Sequence, residues 1–164
     1  MVRTFAAIDV GSFELELGIY EIVDKGVIRS VDHVKHMIAL GKDTYNEGKI
    51  SYGLVEEMCD VLNDFVRIMQ GYQVSDYRAY ATSAMREARN SQIVLEQLRV
   101  RTGIDVKIIS NSEQRFISYK AIAAKDAEFQ KNIQRGTAIV DVGFGSMQAS
   151  LFDKDALVST QNLP

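Results

Sequence analysis

The feature that most constrains the fold of this chain is a motif that occurs twice, near opposite ends of the sequence. Residues 7–12 read Ala-Ile-Asp-Val-Gly-Ser, and residues 139–146 read Ile-Val-Asp-Val-Gly-Phe-Gly-Ser. Each copy is the end of an apolar run of strand length, and another strand-like segment follows it. The repetition predicts two β-hairpins with similar polar turns. Because helical and strand-like segments alternate between the hairpins, the sequence predicts a mixed α/β fold.

The two turns carry the residue types that bind phosphate and cations. Glycine lets backbone N–H groups approach an anion closely, a serine hydroxyl adds a donor, and a carboxylate holds a divalent cation directly or through water. A single turn of this kind also meets purely conformational needs, since Asp and Gly are common turn residues. Two copies that each follow an apolar strand favour a phosphate site, with structural turns as the alternative reading.

Periodicity and capping signals predict the elements between the hairpins. In chain order they are a strand at 26–37, a loop at 40–49, a helix at 51–71 capped by Ser51, a strand at 76–81, a helix at 90–103 capped by Asn90, a strand at 105–109 and a helix at 110–126. A charged, polar stretch follows and predicts a boundary. We therefore expect a domain over 1–126, a linker over 127–136 and the opening strands of a second, incomplete domain over 137–164.

The composition limits the classes of partner. The chain has 164 residues, 46% of them hydrophobic, and a formal net charge of -3. That acidic balance argues against a broad basic surface for nucleic acid. No apolar run reaches membrane-spanning length, and the N-terminus lacks a signal-peptide core. Cys59 is the single cysteine, which leaves no disulfide or multi-thiolate metal site. We expect a cytoplasmic protein with no nucleic-acid or membrane partner.

Further stretches carry a resemblance to a known family. Residues 81–88 read Ala-Thr-Ser-Ala-Met-Arg-Glu-Ala, and residues 102–106 read Thr-Gly-Ile-Asp-Val. Together with the paired turns, these segments resemble the exopolyphosphatase and guanosine pentaphosphate phosphatase family, part of the superfamily of actin, sugar kinases and heat-shock chaperone ATPases. The resemblance implies a ribonuclease-H-like (actin-like ATPase) domain with a mixed five-stranded sheet and flanking helices, followed by the start of a second similar domain.

The resemblance also implies roles for individual residues. It makes Glu113 the base that activates the attacking water, and Asp9 and Asp141 the carboxylates that face each other across a cleft and support Mg²⁺. The implied phosphate cradle consists of Gly11, Ser12, Ser83, Arg86, Gly143, Gly145 and Ser146. The residues alone leave other readings open: Glu113 also completes a capping box with Ser110, and Arg86 also reads as a surface arginine.

Some positions depart from the family pattern. Phe13 and Glu16 alter the first loop, where Glu16 replaces a basic residue, and Phe144 and Gln148 alter the second. Gln114 replaces the second of two adjacent acids. The expected function is hydrolysis of terminal phosphoanhydride bonds in polyphosphate or guanosine pentaphosphate. The alternatives are a catalytically weakened module that binds such ligands for regulation, and an ATP-dependent kinase. A homodimer is a further expectation.

Overall fold

The computed structural model describes residues 2–23, 27–126 and 128–163. The chain forms two compact units, Met1–Ile108 and Ile109–Pro164. The predicted boundary lies at residue 126 instead, and the division into domains stays a prediction. Six residues covered by the predictions lie outside the described part: Met1, Asp24 and Lys25 of the first domain, Gly26 of the third strand, Ala127 of the linker and Pro164 at the end of the last segment.

Strands and helices alternate in both units. The first unit contains β1 (Arg3–Val10), β2 (Glu14–Ile22), β3 (Ile28–Met37), α1 (Leu40–Glu47), α2 (Tyr52–Gly71), β4 (Asp76–Ala81), α3 (Ser83–Glu87), α4 (Ser91–Thr102) and β5 (Val106–Ile108). The second unit contains α5 (Asn111–Lys125), α6 (Phe129–Asn132), a 3-10 turn (Ile133–Arg135), β6 (Thr137–Val142), β7 (Met147–Asp153) and β8 (Ala156–Leu163).

The described strands of the first unit form a five-stranded sheet in the order β3-β2-β1-β4-β5. β2 pairs antiparallel with both β1 and β3, whereas β4 pairs parallel with both β1 and β5. This mixed order confirms the predicted sheet. It also places the carboxyl ends of β1 and β4 side by side, because parallel neighbours end at the same edge. The turn after β1 and the start of α3 therefore lie close together.

One apolar core holds the first unit together. Alternation along β1 and β2 buries one face of the sheet, and the buried residues of these strands are Ala6, Ile8, Val10, Leu15, Leu17 and Ile19. The apolar stripe predicted for α2 packs in the same core, where Met58, Leu62, Phe65 and Met69 are buried and Leu54 is partly buried. Val94 and Leu98 of α4 complete it. Period-2 strands and a period-3.6 helix thus bury the faces that their patterns predict.

The loop predicted at 40–49 is wrong, because Leu40–Glu47 forms α1. The helix ends at Gly48, whose φ of 70° is left-handed and whose N–H donates to the Thr44 carbonyl. Arg89 then donates to the carbonyls of Glu47 (2.8 Å) and Gly48 (3.3 Å). These long-range bonds satisfy carbonyls at the end of a short polar helix. Because their donor lies far along the chain, the local sequence alone predicted a loop.

The described strands of the second unit form a sheet in the order β6-β7-β8, and every pairing is antiparallel. α5 packs on it through Tyr119, whose ring meets Phe152 edge to face at 5.0 Å between centroids. In the stretch predicted as a linker, Phe129 and Ile133 are buried. None of the helices in the described ranges combines the length and apolar character needed to cross a bilayer.

Candidate functional site

The first predicted turn is closed by backbone bonds. The Gly11 N–H donates to the Glu14 carbonyl at 3.0 Å, and the Gly41 N–H donates to the Ser12 carbonyl at 2.7 Å. A Cβ atom at Gly11 would lie 3.0 Å from that Glu14 oxygen, and one at Gly41 would lie 3.2 Å from the Ser12 oxygen. Both glycines therefore allow a close backbone approach that fixes the turn against the start of α1.

Three hydroxyl groups meet at this turn. Ser12 Oγ lies 2.9 Å from Ser83 Oγ and 3.1 Å from the Tyr45 hydroxyl oxygen, and Ser12 and Ser83 are 7% and 5% exposed. A chain of three hydroxyls has three protons but needs only two for its internal bonds, so one proton remains for an outside acceptor such as a phosphate oxygen. The structure thus brings Ser12 and Ser83 together. Sequence reasoning missed Tyr45 because it placed this residue in a loop.

Arg86 adds positive charge three residues after Ser83. It lies in the short helix that Ser83 begins, and its side chain is half-buried. Burial lowers the pKa of Arg86 below its ordinary value, while Glu87 and Tyr45 act in the opposite direction. A guanidinium stays charged under any such shift at neutral pH. Partial removal from water strengthens its attraction for an anion.

Arg89, three residues further on, has a structural role. As described for α1, its guanidinium binds the carbonyls at the end of that helix. Asn90, predicted as a helix cap, uses its side chain elsewhere: Oδ1 accepts from the Ile50 N–H at 3.0 Å and Nδ2 donates to the Ile50 carbonyl at 2.8 Å. The segment after α3 therefore fastens the far end of α1.

Glu16, which replaces a basic residue of the family pattern, forms ion pairs with side chains of β3. Its carboxylate accepts from Lys35 in a short contact and lies 2.9 Å from His33 Nε2. Burial alone raises the pKa of Glu16, but the hydrogen bonds made by its side chain, led by the one from Lys35, lower it overall. Asp9 is exposed and pairs with Glu16 across β1 and β2. The acidic side chain of Glu16, the cross-strand neighbour of Asp9, is therefore paired with a lysine.

Glu113 forms the capping box that was the alternative reading. Its Oε2 accepts from the Ser110 N–H and from Ser110 Oγ, both at 2.8 Å, and Ser110 Oγ accepts from the Glu113 N–H at 3.2 Å. Two hydrogen bonds lower the pKa of Glu113: chiefly the one from the Ser110 backbone N–H, and then the one from the Ser110 side chain. A lowered pKa weakens a general base, although the carboxylate stays ionised at neutral pH, as a base must be. The catalytic role stays a prediction.

The second predicted turn lies in the second unit. The Gly143 N–H donates to the Ser146 carbonyl at 2.9 Å, and the turn carries Phe144 with its side chain 69% exposed. Asp141, just before the turn, accepts from Ser118 Oγ of α5 at 3.3 Å. Gly145 and Ser146 are half-buried. The predicted convergence of this turn on the first one, and of Asp141 on Asp9, stays a prediction.

A buried glutamine lies beside Asp141. Gln148 is its cross-strand partner on β7 and is 2% exposed. In the described ranges, neither Oε1 nor Nε2 of Gln148 has a hydrogen-bond partner, and the same holds for Oε1 of Gln114. A buried polar group left without a partner costs about 1–3 kcal/mol. Sequence reasoning noted both residues as departures from the family but did not place them together.

Asp141 offers one carboxylate to a magnesium ion. No group of three or more His, Cys, Asp or Glu side chains in residues 2–23, 27–126 and 128–163 is placed to hold a metal. Magnesium, however, is usually bound by one or two carboxylates and keeps several water molecules. The unpartnered amide oxygens of Gln114 and Gln148 are acceptors that coordinated water can use. A single carboxylate such as that of Asp141 is compatible with this mode of binding.

The sheet order and the paired turns define an α/β domain of the actin-like type, and comparison with known proteins agrees. A solved family member from Aquifex aeolicus superposes over 100% of this chain and 52% of its own, with a TM-score of 0.81 and 24% identity. An exopolyphosphatase structure from Cytophaga hutchinsonii also gives a TM-score of 0.81, at 22% identity, over 98% of this chain and 50% of its own. These structures show the fold.

Sequence comparison identifies the family. The Ppx/GppA phosphatase family profile matches residues 18–163, and the chain belongs to that family. Exopolyphosphatase 1 of Mycobacterium tuberculosis is 24% identical over 143 residues, which cover 87% of this chain and 40% of the relative. The guanosine-5'-triphosphate,3'-diphosphate pyrophosphatase of Photobacterium profundum is 26% identical over 158 residues, which cover 94% and 31%. The chain thus spans two fifths or less of these curated relatives.

Proposed function

We propose that the chain binds the terminal phosphates of inorganic polyphosphate or guanosine pentaphosphate and takes part in hydrolysis of the terminal phosphoanhydride bond. The observation that carries this proposal is the buried contact between Ser12 and Ser83, with Tyr45 beside it and Arg86 three residues after Ser83 on the same short helix. One spare hydroxyl proton and a guanidinium suit an oxygen-rich anion. The names of the two curated relatives support this choice of substrate class.

The proposed reaction is in-line attack of water on the terminal phosphorus. A bond forms between the water oxygen and phosphorus as the water gives up one proton to Glu113, the bond to the bridging oxygen breaks, and the shortened chain leaves as inorganic phosphate forms. Ser12, Ser83 and Arg86 stabilise charge on the phosphate oxygens, with Gly11, Gly143, Gly145 and Ser146 as further proposed members of the cradle. Asp9 and Asp141 would hold Mg²⁺, which when bound neutralises charge on the leaving oxygen.

Glu113 is proposed to hold the attacking water. Both Ser110 donors bind Oε2, so the proposal assigns Oε1 to the water. The capping box fixes the carboxylate at the first turn of α5 and so limits the positions that the water can take. This arrangement joins a structural and a catalytic role in one side chain, because the bonds that cap the helix also orient the carboxylate.

The test is phosphate release from polyphosphate in the presence of Mg²⁺. We expect Glu113→Gln to lower kcat by about 10²- to 10⁴-fold, since a positioned acid or base contributes about that factor. Glutamine also completes a capping box, so the variant retains the helix start. Arg86→Ala should raise KM, whereas Arg67→Ala, at an exposed arginine of α2 paired with Asp64, should change neither constant. Equal release by Glu113→Gln and the parent chain would refute the catalytic assignment.

A regulatory binding module is the second candidate, and the capping box favours it. Such a module binds phosphate but no longer hydrolyses it. The hydrogen bonds from Ser110 lower the pKa of Glu113 and so weaken it as a base, which is in line with a loss of turnover. In that case pyrophosphate binds to the parent chain and to Glu113→Gln with equal affinity, Arg86→Ala weakens binding, and no chain releases phosphate. A kinase would instead produce ADP from ATP without polyphosphate.

A further inference from the structure

The edge strand of the five-stranded sheet has backbone groups that no neighbouring strand uses. β3 ends the sheet order, so among the described strands only β2 pairs with it. The Ile38 N–H donates to the Phe13 carbonyl at 2.8 Å, and along an antiparallel pair such bonded residues alternate with residues whose backbone groups point away. The N–H and C=O groups of Lys35 and Met37 therefore point outward. An outward row of donors and acceptors is a template for a further strand.

The first half of β3 is protected against such pairing. The register with β2 shifts at Val31 and leaves a β-bulge there, which twists the strand. Just beyond the bulge, the His33 N–H donates to Asp32 Oδ1 at 2.8 Å and so has a partner within its own strand. Bulges and side-chain bonds of this kind prevent the addition of a strand. The open part of the edge is therefore limited to residues 34–37.

A cavity of about 360 Å³ lies beside this open part, between β3 and α2. Two hydrogen bonds join the strand to the helical side on either side of Val34. The Tyr72 hydroxyl, just past α2, donates to Asp32 Oδ2 at 2.9 Å. On the other side, His36 Nε2 lies 2.8 Å from Glu57 Oε1 of α2. The apolar part of the lining comes from both elements and consists of Val34, Val61, Phe65 and Ile68.

The charged side chains around the cavity already have partners. Arg67 Nη1 donates to Asp64 Oδ1 at 2.6 Å, and His36 is paired with Glu57. The ammonium group of Lys35 binds Glu16 on the opposite face of the sheet. Burying a further charge without a partner would be costly, so the cavity suits an uncharged, apolar side chain.

We propose that β3 and α2 bind an extended peptide of another protein, which pairs with residues 34–37 as an added strand and places one aliphatic side chain in the cavity. In this mode of recognition, main-chain hydrogen bonds provide affinity and the pocket provides specificity. A second copy of this chain fits less well, because Val34 and His36 of its own β3 already line its own cavity. The surface contains none of the residues proposed to bind phosphate.

The test is binding of a fluorescein-labelled peptide, Lys-Thr-Thr-Leu-Thr-Thr-Lys, to the full 164-residue chain, measured by fluorescence anisotropy. The threonines favour a strand, and the leucine is the side chain offered to the cavity. We expect this peptide to bind about 10- to 100-fold more tightly than the same peptide with alanine at its centre. N-methyl groups on one alternate set of its backbone nitrogens should abolish binding, and on the other set should leave it unchanged, because only alternate residues bond to β3.

Two pairs of variants locate the binding surface. Val34→Phe should fill the cavity and weaken binding by about 10-fold or more, whereas Val100→Phe, the same change at a residue of α4 that is 67% exposed, should not. Lys35→Pro removes an outward N–H and should abolish binding, whereas Lys35→Gln loses the same ion pairs and should bind like the parent chain. Thermal unfolding identifies the variants that remain folded.

Several results would overturn the inference. They are equal affinity for the leucine and alanine peptides, equal affinity for the two N-methylated sets, and parent affinity in both folded Val34→Phe and folded Lys35→Pro. Sedimentation velocity adds one more: a dimer of the parent chain that Lys35→Pro dissociates would assign this edge to a second copy instead of a peptide.

Discussion

Gly41 offers a direct test of how α1 is joined to the first predicted turn, the one that follows β1. A Cβ atom at this position would lie 2.9 Å from Cε2 of Tyr45, 3.2 Å from Cβ of Ser12 and 3.2 Å from the Ser12 carbonyl oxygen. The carbonyl cannot move freely, because it accepts the Gly41 N–H at 2.7 Å. In Gly41→Ala the Tyr45 ring must therefore shift away from Ser12, and the contact between their hydroxyls is stretched or lost.

The expected cost follows from this geometry. Forcing an extra carbon into a packed site costs about 1–3 kcal/mol, and for a chain of this size each kcal/mol lowers Tm by about 2–4 °C. We therefore expect Gly41→Ala to lower Tm by about 2–12 °C. Pyrophosphate binding should weaken as well, because one hydroxyl leaves the group that presents the spare proton.

Gly53→Ala is the matched control for this change. Gly53 lies in the first turn of α2 and has nothing within 4 Å of the position that its Cβ would take. The same added methyl should raise stability there by up to about 1 kcal/mol, since alanine favours a helix over glycine. Differential scanning fluorimetry and pyrophosphate titration measure both variants. Equal Tm and equal affinity for Gly41→Ala and the parent chain would refute the reasoning.

Three further changes have expected outcomes. Gly48→Ala and Gly103→Ala both replace left-handed glycines, and each should lower the free energy of unfolding in urea by about 1–2 kcal/mol. Gly48→Ala should be the more destabilising of the two, because its Cβ would lie 3.0 Å from the Arg89 guanidinium, whereas that of Gly103 meets open space. The lowered pKa of Glu113 means that its ionised form stabilises the fold above about pH 4.5, and this stabilisation is lost as pH falls through the lowered value. In Glu113→Gln the free energy of unfolding should therefore decrease less over this pH range than in the parent chain. Phe65→Ala should cost about 3–5 kcal/mol in urea unfolding by leaving a cavity in the core.

The sequence predicted the elements whose stability is local or periodic. The stripe on α2 and the alternation along β1 and β2 appear in the structure with the buried faces that they predict. α1 was missed, because its stability comes from residues far along the chain: Ser12 binds its start and Arg89 its end. Composition alone gives such a segment the appearance of a loop.

The site was predictable to a similar extent. The turn chemistry and the motif around Ser83 predicted Ser12, Ser83 and Arg86 as phosphate ligands; that role stays a prediction, and the structure places Ser12 against Ser83. Tyr45 was missed together with its helix. The sequence also did not predict that the amide of Gln148 lacks a hydrogen-bond partner among the described residues, because no local pattern encodes which groups the neighbouring elements leave unbonded.

The segment that follows α3 explains how a site built from distant residues is kept rigid. Arg86 is proposed to bind the ligand, whereas Arg89 and Asn90 bind the chain just after α1 through the carbonyl of Gly48 and both backbone groups of Ile50. α1 is therefore held at its first turn by Ser12 and beyond its last turn by the same segment that supplies the charge. A site held in this way gives up little conformational entropy when an anion binds, because its donors are fixed before the ligand arrives.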